Sequence, residues 1–180
     1  MPRPIEKQVF VLLAPGFEEA DVSTVTRTLR RSGLSVAVVG LTGSPVRGAY
    51  GLSLAPDWAL SEVETELPQA VVLPGAIQAT RKLNADPRVH ILLRRVADRG
   101  GYVIAFDTAY TVLRNAGLLA NGGAGSGSAT AEELVERPVP TRYGEALPSE
   151  RVLVEGRVIF GRDSGAAQEA ALTLVSLLGS

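Results

Sequence analysis

Residues 9–21 read VFVLLAPGFEEAD, and this stretch decides the fold. Val9 to Leu13 is an apolar run without alternation, the pattern of a strand buried on both faces of a sheet; a half-exposed strand would alternate. Ala14-Pro15-Gly16 interrupts it, and the acids Glu18, Glu19 and Asp21 then open a segment in which Val22, Val25 and Leu29 recur with helical spacing. A buried strand turning sharply into an amphipathic helix is the first half of a βαβ unit.

Working outward, Val36 to Val39, Ala70 to Leu73 and Tyr102 to Phe106 are further apolar runs of the same kind, and Val89, Leu92, Leu93 and Val96 form a second helical stripe. Gly33 and Gly117 follow helical runs as C′ glycines do, and Asp86-Pro87 reads as an N-cap followed by proline at the first helical position. Val152 to Glu155 and Val158 to Phe160 flank a glycine turn and predict a β-hairpin; Ala171, Leu174, Val175 and Leu178 predict a closing helix. Asn121 to Ala131 (NGGAGSGSATA) reads as a surface loop before a capping box at Thr130 and Glu133. The expectation is one domain over 1–180, of α/β class, with a doubly wound, mostly parallel sheet and helices on both faces.

Composition narrows the function classes. Lys and Arg total 18 against 19 Asp and Glu, so no global field draws nucleic acid or an anionic membrane. Apolar runs of only about five residues are far short of a membrane span, and the polar first residues lack the apolar core of a secretory signal, so cytoplasmic residence is the expectation. The chain has no cysteine, which excludes disulfides, thiolate metal sites and thiol redox sensing. His90, the single histidine, lies far in sequence from every strand end and reads as a surface or boundary residue without a catalytic role.

Ligands of open parallel sheets bind beyond the carboxyl ends of the strands. Three strand-to-helix junctions lie there: residues 15–21, Pro74-Gly75-Ala76, and Ala105-Phe106-Asp107-Thr108-Ala109. A side chain at such a turn projects into the crevice, and the N–H groups of the following helix can hold negative charge. On composition alone Asp107 is as readily an N-cap as a site residue, and Asp21, Glu18 and Glu19 can each be first-turn acids that complement a helix dipole. Tyr50, Trp58 and Tyr110 read as core aromatics before crevice linings.

GFEEAD at 16–21, VVLPGA at 71–76, the elbow at 105–109, GRDSGA at 161–166 and the closing helix together resemble the ThiJ/PfpI superfamily over nearly the whole chain. That resemblance implies a flavodoxin-like, class I glutamine-amidotransferase-like fold, a homodimer and no cofactor. It also implies a catalytic cysteine and glutamate at the positions held here by Asp107 and Asp21, with Glu18 and Glu19 at two earlier acidic positions. The histidine of many members maps onto Thr108 or approximately onto Gly127. What the resemblance leaves in place is an anion-binding backbone at Gly75, Ala76 and Thr108, although Ala76 stands where the family has glycine.

The leading expectation is therefore a non-catalytic member binding a small molecule or protein partner around Asp107, with Asp21 beside it. An alternative is a carboxylate-dependent hydrolase or lyase of small carbonyl compounds, with Asp107 as nucleophile or base and Asp21 as its partner. A third is a Mg²⁺ or Ca²⁺ site at Asp21, Asp107 and Glu18. Arg162 is read as an ion-pair partner for nearby acids or as a hook for a ligand anion. The reach of the two aspartates, two heavy atoms each beyond Cβ, predicts a hydrogen-bonded carboxyl pair sharing one proton, with Asp107 the charged partner.

Overall fold

The computed structural model describes residues 9–119 and 151–179, so the loop at Asn121 to Ala131, its capping box and the Gly127 position lie outside the described residues. Among the described residues seven strands form the main sheet: β1 (Val9–Leu13), β2 (Val36–Gly40), β5 (Trp58–Ala59), β6 (Ala70–Leu73), β7 (Tyr102–Phe106), β8 (Val152–Glu155) and β9 (Val158–Gly161). Their order is β5-β2-β1-β6-β7-β9-β8. Every pairing is parallel except the β8–β9 hairpin at one edge. Two short strands, β3 (Val46–Arg47) and β4 (Ser53–Leu54), pair separately as an antiparallel ribbon.

Burial explains the unbroken apolar runs. β1 and β6 are buried at every residue because helices cover both faces of the sheet. α1 (Glu19–Arg31) packs with α5 (Ala167–Leu178), while α2 (Ile77–Ala85), α3 (Pro87–Asp98) and α4 (Tyr110–Asn115) pack against one another and on the central strands. α1 turns Val22, Val25 and Leu29 into the core, each worth roughly 1.5–3 kcal/mol of burial, and ends at Gly33 with φ +87°. α3 starts as its sequence dictates: Asp86 caps it by accepting from the N–H of Arg88, with Pro87 in the first turn. Among the described residues no helix is long and apolar enough to cross a membrane.

The sheet places its polar burial at one end. The buried polar side chains among the described residues are Glu19, Asp21, Thr80, Asn84 and Thr111. All lie on helices that begin at the carboxyl ends of β1, β6 or β7, the three strands whose junctions form the crevice.

Candidate functional site

Gly75 is where the three junctions meet. Its carbonyl accepts the N–H of Glu18 at 3.3 Å, and its own N–H donates to Asp21 Oδ2 at 2.8 Å. A Cβ added at Gly75 would lie 3.1 Å from Asp21 Oδ2 and 3.2 Å from Asp107 Cβ, so the missing side chain lets the first and third junctions close on the second.

Asp21 sits in the first turn of α1 and is 1% exposed. Oδ2 takes the Gly75 N–H, while Oδ1 is buried without a partner. Burial pushes its carboxyl up to about 7; the Gly75 N–H opposes this, and the charges of Glu18, Asp107 and Asp163 add to it. Asp21 is thus a proton-holding acid near neutrality, as expected, but the expected hydrogen bond to Asp107 is not formed. Asp21's reach is used on Gly75, and Asp107 acts on it through space.

Asp107 begins the 3₁₀ turn Asp107–Ala109 between β7 and α4, with φ +45°, and its side chain is exposed. This left-handed turn lifts the residue out of the line of the strand. Its carboxyl is raised by partial desolvation, lowered by the backbone N–H of Thr108 and raised again by the charge of Asp163. Ala76 has φ +82° and ψ 134°, a conformation that favours glycine, so the backbone expected of a glycine is retained under an alanine at a cost of about 1–3 kcal/mol.

Of the expected anion donors, Gly75 is already engaged by Asp21, Thr108 follows Asp107 in the elbow turn, and Ala76 lies on its strained turn. Glu18 is the N-cap of α1, its Oε1 accepting from Ala20 N–H at 3.4 Å. Arg162 donates Nε–H to Asp163 Oδ2 at 3.2 Å, and its backbone N–H donates to the Arg151 carbonyl, which fits the ion-pair reading. Among the described residues no three acids or histidines converge closely enough to hold a metal, so the cation-site reading gains no support.

Two acids matter more than the sequence suggested. Asp163 carries charge that reaches both Asp21 and Asp107. Glu19 is buried and clamps the β3–β4 turn, its Oε1 accepting from Tyr50 N–H at 2.8 Å and Leu52 N–H at 3.3 Å. The motif GRDSGA contained Asp163 without indicating its direction, and nothing local tied Glu19 to a turn 31 residues away. Tyr110 is a core aromatic, buried edge-on to Phe160, and Trp58 is half-buried in β5, whereas Tyr50 is 81% exposed, so the core reading fails for Tyr50.

Residues 7–177 match the DJ-1/PfpI family. The Parkinson disease protein 7 homolog of Danio rerio is 32% identical over 96% of this chain and 89% of its own length. A glutathione-independent glyoxalase of Caenorhabditis elegans is 30% identical over 96% of this chain and 89% of its own. A solved DJ-1 superfamily protein from Salmonella typhimurium superposes with a TM-score of 0.77 at 30% identity, covering 97% of this chain and 91% of that one.

Proposed function

The chain belongs to the DJ-1/PfpI family, and from that premise we propose that it is a member without thiol chemistry whose crevice at Asp107 binds a small molecule or protein partner rather than turning one over. One observation carries this reading: the elbow holds an aspartate in place of a thiol, while Asp21 engages Gly75 N–H. A donor that would stabilise an oxyanion already holds the Asp21 carboxyl, and a chain with no cysteine supplies no thiolate. The same reading includes a cytoplasmic homodimer. Its support is the family together with the exposed Tyr50 and Leu52 on the turn that Glu19 clamps.

The second reading is carboxylate-dependent turnover of a small carbonyl compound. It is favoured by the exposed Asp107 on its elbow and by the name of the nematode glyoxalase. Methylglyoxal consumption separates the two. Binding alone gives no turnover above heat-denatured protein, whereas turnover that Asp107→Ala abolishes establishes the enzyme and overturns the binding reading.

A further inference from the structure

Behind the elbow a series of hydrogen bonds runs from the crevice to the single histidine. Thr108 is held twice: its hydroxyl lies 2.8 Å from that of Thr80, and its carbonyl accepts from Thr111 Oγ1 at 2.9 Å. Thr111 Oγ1 in turn accepts from Asn84 Nδ2 at 3.2 Å. That bond sets the amide of Asn84, whose Oδ1 then receives Asn115 Nδ2 at 3.0 Å and faces His90 Nε2 at 3.3 Å. An amide oxygen only accepts, so Nε2 of His90 carries the hydrogen. Along this line the donors point the same way, from His90 through Asn84 and Thr111 to the Thr108 carbonyl.

Thr80 and Thr111 are wholly buried and Asn84 nearly so, at positions where apolar side chains would otherwise fill the space between α2, α3 and α4. The strained backbone at Asp107 gives this polar burial a purpose. A left-handed non-glycine residue persists only where its surroundings over-determine it, and aligned hydrogen bonds reinforce one another.

We propose that His90, Asn84 and Thr111 are positioning residues for the elbow, holding Thr108 and with it the left-handed turn at Asp107. They act through Thr108 and require no ligand, so the proposal stands or falls independently of whether the crevice binds or turns over its partner.

The test is NMR on the unliganded full chain, reading the Thr108 amide, the Asp107 carboxyl carbon against pH, and the ring nitrogens of His90. The wild-type ring should be protonated on Nε2; a bare Nε2 at neutral pH would overturn the proposal. Thr111→Val keeps the volume and deletes the donor to Thr108, so it should move the Thr108 amide and shift the Asp107 midpoint upward. His90→Leu should move both in the same direction by less, and His90→Gln, which retains an N–H donor, should restore them. If Thr111→Val fails to fold, the half-buried His90 pair carries the test. A folded His90→Leu with unchanged Thr108 and Asp107 signals, or one indistinguishable from His90→Gln, would overturn the assignment.

Discussion

Asp21 and Asp107 face Gly75 from two sides, and the fold treats the same side chain in opposite ways. Asp21 has helical backbone and a carboxyl sealed from water, so its cost lies in charge. Asp107 is an exposed residue with a left-handed backbone and only a partly desolvated carboxyl, so a main-chain cost is added to its charge cost. A crevice can keep its backbone geometry while its side-chain chemistry is replaced, and the two kinds of cost respond to different experiments.

The largest expected effect is on the charge side. Below about pH 4 Asp21 is protonated in both folded and unfolded chains; as pH rises toward 7 the unfolded chain releases that proton while the folded chain keeps it. Stability therefore falls across that window, by up to roughly 4 kcal/mol, and levels off above it. Asp21→Asn retains an acceptor for Gly75 N–H and removes the titration. Urea denaturation should find it more stable than wild type by a few kcal/mol at about pH 8 and little changed at about pH 4. Equal pH slopes for the two proteins would show that Asp21 does not bury its charge.

Gly75→Ala attacks the contact the two acids share. Its Cβ would arrive 3.1 Å from Asp21 Oδ2 and 3.2 Å from Asp107 Cβ, and we expect a loss of about 1–3 kcal/mol from overpacking. The comparison predicts that Asp21→Asn leaves this loss in place, because the clash is steric; a double mutant as stable as Asp21→Asn alone would point to electrostatics instead.

Backbone relief should be smaller and independent of pH. Ala76→Gly exchanges a strained φ of +82° for one glycine accepts, for a net gain of about 1 kcal/mol after the entropy glycine loses on folding. A thermal melt that shows no gain, or one confined to high pH, would remove the strain argument. The smallest effect belongs to Asp107→Asn, which keeps a residue tolerant of the left-handed region and removes one charge near Asp21. The pH at which stability levels off should then move down by a fraction of a unit.

Much of this arrangement was legible in the sequence, and what was missed has a physical reason. The buried runs of β1, β2, β6 and β7, the stripes of α1 and α3, and the Asp86-Pro87 start are local patterns, and the structure repeats them. α2 showed no stripe because its inward face is Ala79, Thr80, Leu83 and Asn84, half of it polar. Those same polar residues belong to the network behind the elbow, so one feature hid both the helix and its role. β3, β4 and β5 are two-residue strands, too short for any periodicity. The three junctions were legible as turns, yet the carboxyl pair drawn between them was not: counting side-chain reach ignored Gly75 N–H, a nearer donor that only the folded chain brings within 2.8 Å of Asp21.

The account turns on the claim that Asp21 stores a proton in its buried carboxyl. Carbon-13 NMR of the side-chain carboxyls, followed against pH on wild type and on Asp107→Asn to assign the signals, measures this directly. The account predicts an Asp21 midpoint near 7 and an Asp107 midpoint above its ordinary value, raised by partial desolvation. An Asp21 midpoint near the ordinary value of 3.8, or two coupled steps shared by both residues as in a hydrogen-bonded dyad, would contradict it.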